Sequence, residues 1–418
     1  MREATQSSSR RRSTCRLCSS RDLTLVLSLT PTPPANAFVA KEAVGQDQET
    51  YPLDVFFCED CHHVQLLDVI DPGLLFEDYV YVSGTSPVFK AHFERYAKSL
   101  CERFKPLPGS LALDIGSNDG TLLGYFKEAG MSVVGVDPAR DIARRASEGG
   151  IRTLAGFFTP QLARQILADH GQAGIITANN VFAHADDLAG ILEGVKTLLP
   201  NDGVFVFEVS YLADVCEKTL FDTIYHEHLS YHSVKPLVRF LENNAMEAIG
   251  VERLDTHGGS IRVLAQNSGG PYPVDGSVGE AIALEKRLGH DRADTFQALE
   301  KRIVELKADL HDLLEGLKTE GKTIAGFGAP AKATTLMHQF GLDLETIDFI
   351  VDDSPLKQGL FSPGLHVPIL PTQEVYERNP DYLLILAWNF AEPIMANHAA
   401  FHERGGRFII PVPKVEIH

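Results

Sequence analysis

The sequence contains no apolar run long enough to cross a bilayer, and this lack sets the first limit on its function. A membrane-spanning helix needs about 20 consecutive apolar residues, whereas the apolar run YLLILAW at 382–388 has the length of a buried strand. The opening stretch, MREATQSSSRRRSTC, is basic and polar without an apolar stretch behind it. We therefore expect no secretory signal and a cytoplasmic location, and we expect residues 1–13 to form a disordered tail.

The sequence also lacks an excess of positive charge. It has 38 Lys and Arg residues against 56 Asp and Glu residues, which gives a net charge of −18. Because a surface of this sign repels nucleic-acid backbones, we expect no nucleic-acid partner, and we also expect no membrane partner. A small anion is still an acceptable ligand, since a local cationic pocket can outweigh the net charge. The oligomeric state is left open, and a monomer is compatible with the sequence.

Cysteine is scarce, with six residues in 418, and four of the six stand in two pairs. In both Cys15-x2-Cys18 and Cys58-x2-Cys61, the spacing allows two thiolates to face one ion. In a reducing compartment such pairs indicate a metal rather than disulfides. We therefore predict one tetrahedral Zn²⁺ held by these four cysteines, with a structural role because four thiolates leave no open position.

Short apolar runs alternate with helical segments from residue 110 onward, as is typical of βαβ units and parallel sheets. A long charged helical segment at 278–320 interrupts the alternation, which resumes at KTIAGFG. We predict an α/β protein with an N-terminal zinc-binding module, a Rossmann-like domain and a second, C-terminal Rossmann-like α/β domain. The predicted ranges are 14–80 for the module, 81–270 for the first domain with its helical lead-in, and 271–418 for the helical connector and last domain.

The first glycine-rich turn, in LALDIGSNDGTLL, differs from the turn that binds a dinucleotide pyrophosphate. Asp114 and Asp119 flank it, and two acidic residues repel phosphate but favour a cation. S-Adenosylmethionine carries an ammonium and a sulfonium and no phosphate, so this methyl donor fits better and the domain is predicted to be a class I methyltransferase domain. Asp137 would accept hydrogen bonds from the ribose, and Phe157 or Phe158 would border the adenine. The predicted cofactor site comprises Asp114, Gly116, Ser117, Asn118, Asp119, Gly120, Asp137, Phe158, Asn179 and Asn180.

The segment FDTIYHEHLSYHS is unusually rich in histidine. A neutral histidine such as His228 can remove a proton, and a carboxylate and a phenol beside it, here Glu227 and Tyr225, can fix its tautomer or steady a developing charge. Two alternatives are open at this point. One is a polar loop with structural hydrogen bonds, and the other is a metal site on His228 and His232.

Five motifs occur in one order over nearly the whole chain: the two cysteine pairs, LDIGSNDGTLL, YHEHLSYHS, THGGSIRV and GFGAPAKATTLM. In this order they resemble the sugar C-methyltransferases that act on nucleotide-linked 4-keto-deoxyhexoses, in the biosynthesis of branched deoxysugars for antibiotics and other natural products. The resemblance implies that S-adenosylmethionine binds the middle domain and zinc the N-terminal one. It also implies that a dTDP-linked sugar lies between the middle and C-terminal domains.

The same resemblance implies roles for single residues. His228 would be the base, with Tyr225 and Glu227 beside it, and His184 would be the second active-site histidine. Tyr79, with Tyr81 close to it, would match the tyrosine before the first long helix. The implied reaction removes a proton next to the ketone, forms an enolate and methylates carbon 3. An O-methyltransferase acting on a related sugar is the nearest alternative.

The second glycine-rich turn, in GFGAPAKATTL, is closer to a dinucleotide fingerprint. Asp352 ends a later apolar run and could mimic the acid that binds an NAD ribose, so an NAD-dependent sugar oxidoreductase is a further alternative. Lys332 brings a positive charge suited to the phosphate of a nucleotide sugar. The resemblance favours this substrate-side role, and the predicted substrate contacts are Lys332, Trp388 and Asn389.

Overall fold

The computed structural model of the chain describes residues 8–77, residue 84 and residues 87–418. In this part of the chain, the strands form sheets of four, seven and six strands and a two-stranded ribbon. The strands are β1 (Ser9–Arg11), β2 (Leu23–Thr32), β3 (Tyr51–Cys58), β4 (Val64–Leu66), β5 (Asp68–Ile70), β6 (Leu111–Ile115), β7 (Ser132–Asp137), β8 (Thr153–Ala155), β9 (Ala173–Asn179), β10 (Val204–Ser210), β11 (Ser230–Tyr231), β12 (Met246–Leu254), β13 (Ser260–Asn267), β14 (Ile324–Phe327), β15 (Ile350–Asp352), β16 (Ile369–Pro371), β17 (Tyr382–Ile385), β18 (Arg407–Ile410) and β19 (Glu416–Ile417).

Capping residues and apolar stripes explain where helices form. The Thr159 side chain accepts a hydrogen bond from the Leu162 N–H, and Pro160 opens the first turn of the helix that follows. The charged segment at 278–320 lies in two helices, the second of which buries apolar residues spaced three and four apart. The helices are α1 (Pro72–Phe76), α2 (Pro87–Phe104), α3 (Thr121–Glu128), α4 (Arg140–Glu148), α5 (Pro160–His170), α6 (Leu188–Leu198), α7 (Leu212–Glu217), α8 (Val234–Asn243), α9 (Gly276–Leu288), α10 (Thr295–Thr319), α11 (Ala331–Phe340), α12 (Glu374–Arg378), α13 (Ala391–Asn397) and α14 (Ala399–Glu403), with 3₁₀ turns at Lys41–Ala43, Phe221–Thr223, Thr256–Gly258 and Trp388–Phe390.

The seven-stranded sheet has the order β12-β13-β10-β9-β6-β7-β8. Its strands are parallel except β13, which runs antiparallel to both of its neighbours. From β6 the chain moves through β7 and β8 to one edge and then returns through β9 and β10 towards the other. The order therefore reverses between β6 and β9, and open α/β sheets bind ligands at the carboxyl ends of the strands at such a switch point. Buried apolar side chains cover both faces of this sheet.

The six-stranded sheet repeats this plan near the C-terminus. Its order is β16-β15-β14-β17-β18-β19, and its strands are parallel except β19. The order reverses between β14 and β17, which gives the chain a second switch point. The predicted α/β class, with two Rossmann-like sheets behind an N-terminal cysteine module, is confirmed.

The four-stranded sheet, of order β11-β4-β3-β2, joins the N-terminal module to the histidine-rich segment. Strand β11 lies within that segment and pairs with β4 of the module. Residues 230–231 fall in the predicted range 81–270, yet they pair in the four-stranded sheet of the N-terminal module. The domain ranges 14–80, 81–270 and 271–418 therefore stay a prediction. Among the described residues, no helix combines the length and the apolar character needed to cross a membrane.

The disordered tail predicted for residues 1–13 is wrong for its described part. Residues 9–11 form β1, which pairs with β5 in an antiparallel ribbon. The Arg12 side chain donates a hydrogen bond to Asp186 Oδ1 at 3.0 Å, far away in the sequence. Composition alone suggests a solvated tail, but backbone pairing and this ion pair order it.

Candidate active site at two facing sheet edges

Gly116 makes the sharp turn at the end of β6. Its φ is 72°, and its N–H donates to the Val136 carbonyl at 2.7 Å. A Cβ atom here would lie 2.2 Å from Val181 Cγ2, so the position has no room for a side chain. The turn carries the chain across the carboxyl edge of the sheet, and the predicted cofactor residues Ser117, Asn118, Asp119 and Gly120 follow on it.

Asp137 ends β7 beside this turn. Its Oδ2 accepts the Asn118 N–H at 2.7 Å, and its Oδ1 accepts the Ala139 N–H at 2.9 Å. Burial raises the pKa of the Asp137 carboxyl, while these two hydrogen bonds act in the opposite direction. Each carboxylate oxygen has a second lone pair, so Asp137 retains the capacity to accept hydrogen bonds from the two hydroxyls of a ribose.

Asp114 lies within β6 and is only 4% exposed. Thr177 Oγ1 donates to its Oδ1 at 2.6 Å. Burial raises the pKa of Asp114 to about 7, and the nearby Asp137 carboxylate adds to this effect. A cation at this edge of the sheet would hold Asp114 ionised. The ammonium and sulfonium of S-adenosylmethionine have the required charge, so the acidic pair fits this cofactor.

Asn179 and Asn180 close the carboxyl end of β9, on the other side of the switch point. Both side-chain amide atoms of Asn179 are buried, and among the described residues neither has a hydrogen-bond partner. A buried amide without protein partners requires a ligand or water to satisfy it. Asn180 adopts a left-handed conformation with φ of 54°, which asparagine tolerates, and its N–H donates to the Glu208 carbonyl.

Two predicted cofactor residues have surroundings that differ from the expectation. Asp119 accepts hydrogen bonds from the N–H and hydroxyl of Thr121 and from the Gly84 N–H, so it ties two segments of chain together. Phe158 belongs to the apolar core and packs against Gly194 of α6. Phe157 is 41% exposed, so it has the more open surface for an adenine ring.

His228 has a defined tautomer. Its Nδ1 lies 2.7 Å from the Thr223 carbonyl oxygen. A carbonyl oxygen only accepts hydrogen bonds, so Nδ1 carries the proton and Nε2 holds the free lone pair. Burial lowers the pKa of His228 to about 4, which keeps the ring neutral at neutral pH. The contact that fixes the tautomer is thus the Thr223 carbonyl rather than a neighbouring carboxylate.

Tyr225 and His184 flank the His228 ring. The ring centroids are 4.1 Å apart for Tyr225 and His228 and 4.9 Å apart for His184 and His228. Burial raises the pKa of Tyr225 well above its usual range, with Glu227 contributing, so its hydroxyl keeps its proton. Burial also lowers the pKa of His184 well below its usual value, and Phe76 stacks against its ring. The group therefore combines one proton acceptor with two neutral side chains able to donate hydrogen bonds.

Glu227 is buried and links the histidine-rich segment to the N-terminal module. The Asn36 side-chain amide donates to Glu227 Oε1 at 2.8 Å. His232 does not join His228 in a metal site, because among the described residues no group that contains these two histidines is placed to hold an ion. Tyr79 and Tyr81, the tyrosines expected before the first long helix, lie outside the described residues.

The second switch point brings together the three predicted substrate contacts, Lys332, Trp388 and Asn389. The Lys332 ammonium donates to Asn389 Oδ1 at 2.5 Å and lies 3.6 Å from the centre of the Trp388 ring. Burial lowers the pKa of Lys332 to about 8, and Asp222 opposes this shift. The Trp388 indole N–H donates to Asp222 Oδ2 at 2.5 Å. Since Asp222 belongs to the histidine-rich segment, this segment and the C-terminal α/β unit meet here.

Sequence reasoning missed His257, Asp222, Thr223 and Asn36. His257 lies in the THGGSIRV motif with φ of 55°, and its Nε2 is 3.5 Å from Asn180 Nδ2. Burial lowers its pKa to about 4, and the charge of Lys332 contributes. The motif THGGSIRV could have pointed to His257. Asp222, Thr223 and Asn36 matter through contacts with other segments of the chain, and residue spacing does not reveal such contacts.

Asp352, the acid expected to mimic an NAD-binding residue, is already paired. Its Oδ2 accepts the Ala329 N–H at 2.7 Å and lies 3.4 Å from the Lys357 ammonium. The same ammonium donates to the Ala329 carbonyl at 2.9 Å. A lysine bound across the glycine turn thus neutralises this acid.

The four paired cysteines of the N-terminal module converge on one point. Their sulfur atoms all lie within 4.8 Å of one another, and no other group of described residues is placed to hold a metal ion. Tetrahedral zinc with Zn–S distances near 2.3 Å requires sulfurs about this close. The two knuckles are alike, since the N–H of Ser19 donates to the Cys15 carbonyl and that of His62 to the Cys58 carbonyl. The donor set fits structural zinc and leaves no position open for substrate.

Family models match three successive parts of the chain. Residues 15–76 match a model described as "Putative zinc binding domain", residues 89–248 match "Methyltransferase domain", and residues 255–413 match "C-methyltransferase C-terminal domain". Among solved structures, a methyltransferase from Clostridium acetobutylicum covers 43% of this chain and 92% of its own, at 13% identity and a TM-score of 0.35. Magnesium protoporphyrin IX methyltransferase from Synechocystis covers 43% and 83%, at 15% identity and a TM-score of 0.35. These two structural matches are too weak to carry an argument.

The fold and the three matches define an S-adenosylmethionine-dependent methyltransferase with a zinc-binding N-terminal module. The chain is 36% identical to the C-methyltransferase NovU of Streptomyces niveus over 403 residues, which are 96% of each protein. It therefore belongs to the family of C-methyltransferases that includes NovU.

Proposed function

We propose that this C-methyltransferase methylates carbon 3 of a dTDP-linked 4-keto-deoxysugar through an enolate, in branched-deoxysugar biosynthesis. The observation that carries the proposal is the tautomer of His228. The Thr223 carbonyl holds the proton on Nδ1, so a neutral Nε2 is available as a base. A carbon next to a ketone is acidic because its anion spreads onto oxygen, and such a carbon is the kind of acceptor that this arrangement suits.

The proposed reaction divides between the side chains around His228. Its Nε2 removes the proton from carbon 3, while the Tyr225 hydroxyl and His184 donate hydrogen bonds to the enolate oxygen. Preorganised donors of this kind can each be worth about 2.7–4 kcal/mol. S-Adenosylmethionine supplies an electrophilic methyl group that the carbanion attacks. Tyr225 can act as a donor at neutral pH because its pKa lies well above the usual range.

The second switch point would hold the nucleotide part of the substrate. The Lys332 ammonium provides a positive charge for a phosphate, and Trp388 offers a ring surface beside it. Lys332 already donates to Asn389 Oδ1, so these two side chains would bind the substrate as a unit. The ranges 14–80, 81–270 and 271–418 would then act as zinc module, methyl-donor domain and acceptor domain. Four thiolates on one zinc ion, and no disulfide among the described cysteines, are typical of a reducing compartment, which supports the proposed cytoplasmic location.

The test is incubation of the enzyme in D2O with a dTDP-4-keto-deoxyhexose, with and without S-adenosylmethionine. The sugar is then analysed by NMR and mass spectrometry. We expect deuterium next to the ketone when the methyl donor is absent, and a new C–CH3 signal when it is present. A methyl group on oxygen would contradict the proposal and identify an O-methyltransferase. Absence of both changes would show that the acceptor belongs to another chemical class.

A further inference from the structure

Arg16 lies between the zinc ligands Cys15 and Cys18, and its side chain is 0% exposed. A cation buried this deeply must have all its charge satisfied by nearby acceptors. Its guanidinium donates four hydrogen bonds of 2.9–3.2 Å, to Asp186 Oδ1, Gln65 Oε1, the Leu229 carbonyl and the Leu66 carbonyl.

Two of these acceptors belong to the loops that carry the active-site histidines. Asp186 comes two residues after His184, and Leu229 directly follows His228. The two loops also contact each other, since the Ser230 N–H donates to the Ala183 carbonyl at 3.1 Å. Arg16 thus holds both loops at the point where the two imidazole rings approach to 4.9 Å.

The other contacts hold Arg16 to the N-terminal module. Its own N–H donates to Gln65 Oε1 at 2.9 Å. The knuckle around it is closed by two further backbone bonds, from Cys15 N–H to the Ser20 carbonyl and from Ser19 N–H to the Cys15 carbonyl. The backbone of Arg16 is therefore as fixed as the zinc knuckle that contains it.

We propose that Arg16 is a positioning residue, through which the zinc knuckle sets the distance between His184 and His228. This inference rests on the proposed function, in which both histidines act on the substrate. It gives the zinc module a role in catalysis although its four cysteines leave no position open for substrate. The planar guanidinium reaches acceptors on three segments at once, and the single ammonium of a lysine does not reproduce that geometry.

The test compares Arg16→Lys with the matched control Arg12→Lys. Arg12 also bonds Asp186 Oδ1 at 3.0 Å, but its side chain is 20% exposed and the hydrogen bonds of that side chain go only to Asp186 and to the neighbouring Thr14 carbonyl among the described residues. For Arg16→Lys we expect kcat to fall about 100-fold, as for a displacement near 1 Å. The dissociation constant of S-adenosylmethionine and the zinc content should stay unchanged. Arg12→Lys should keep kcat within about twofold.

The second readout is the NMR signals of the His184 and His228 rings, assigned with His184→Gln and His228→Asn variants. The spectra are recorded well below the melting temperature of the variant. Under that condition Arg16→Lys should shift the signals of both rings, whereas a general loss of stability would leave the signals of the folded protein unchanged. If Arg16→Lys does not fold, Asp186→Asn decides, because it should shift the His184 signals more than those of His228. Unchanged ring signals in the variant that folds would overturn the proposal. Because these signals need no substrate, they test Arg16 even if the wild type fails to methylate the keto-sugar.

Discussion

A glycine with positive φ follows the first strand of each parallel α/β sheet, Gly116 after β6 in the seven-stranded sheet and Gly328 after β14 in the six-stranded sheet. Each glycine donates its N–H, at 2.7 Å, to the carbonyl of the residue before an aspartate on the neighbouring strand. These aspartates, Asp137 and Asp352, each accept two backbone N–H groups at 2.7–2.9 Å. Two stretches that differ in sequence therefore fold into the same turn.

The two turns differ in the charges around them. Lys357 pairs with Asp352, and Lys332 is buried nearby against Trp388. Within the described residues, Asp137 forms no ion pair, and the acidic Asp114 lies close to it. The same backbone turn is therefore compatible with ligands of either charge. The charges of the surrounding side chains differ, and they favour different ligands: an acidic edge suits a cationic methyl donor, and a cationic edge suits a phosphate.

The largest expected effect comes from His228→Asn, which removes the proposed base. We expect kcat to fall about 1,000-fold, within the usual range for general-base catalysis. The dissociation constant of S-adenosylmethionine, measured by calorimetry, should change little because neither edge is altered. His226→Asn is the matched control, since the His226 Nε2 bonds the Tyr51 carbonyl at 3.2 Å and has a structural place in the same loop. Equal losses of kcat in the two variants would remove His228 from the role of base.

The next effect tests the comparison of the two turns directly. Asp137→Ala and Asp352→Ala each remove the same pair of backbone hydrogen bonds. If Asp137 binds the ribose, its variant also loses two charge-assisted bonds to the ligand, so its affinity for S-adenosylmethionine should fall about 100-fold. Asp352→Ala should leave that affinity within about threefold. Calorimetry on both variants gives the answer, and equal affinities would mean that Asp137 has only a structural role.

The smallest effect is on the pH dependence of kcat/KM for the keto-sugar, at saturating S-adenosylmethionine. His228 must be neutral and its pKa is lowered to about 4, so the required form is present above that pH. Lys332 must be charged and its pKa is lowered to about 8, so the required form is present below that pH. We therefore expect kcat/KM to change less than about twofold between pH 5 and 7. If the base were a histidine with a pKa near 6.5, kcat/KM would be about 30-fold lower at pH 5 than at its maximum.

A matched variant separates the two limbs of this profile. Lys332→Gln should remove the alkaline limb near pH 8 and keep the acidic limb, because the glutamine does not titrate. An acidic limb near pH 6.5 in the wild type would mean that the base is a more exposed group than His228.

Much of the fold could be predicted because local patterns carry it. The alternation of apolar runs and helical segments indicates two α/β units, and both are present with a switch point each. The two cysteine pairs indicate one metal site, and their sulfurs do converge within 4.8 Å. Lys332, Trp388 and Asn389, each predicted to contact the substrate, lie together in the structure.

Other features depend on contacts between distant segments. The tautomer of His228 is fixed by the main-chain carbonyl of Thr223. Because every residue has such a carbonyl, this contact leaves no signal in the sequence. The exposed phenylalanine is Phe157, while Phe158 packs in the core, because the direction of each side chain depends on how α6 packs. The N-terminal arginines contact Asp186, so the segment expected to be a tail is ordered by a partner about 170 residues away.

The class of this protein, the acidic glycine turn proposed for the methyl donor and the four cysteines proposed for zinc could all be read from the sequence, because each depends on residue types at short, fixed spacings. How these parts combine depends on tertiary contacts. Strand β11 pairs with β4 of the N-terminal module, and Arg16 bonds the segments that carry His184 and His228. These contacts join residues about 165 to 213 positions apart, and they form because buried polar groups must find partners wherever the folded chain places them.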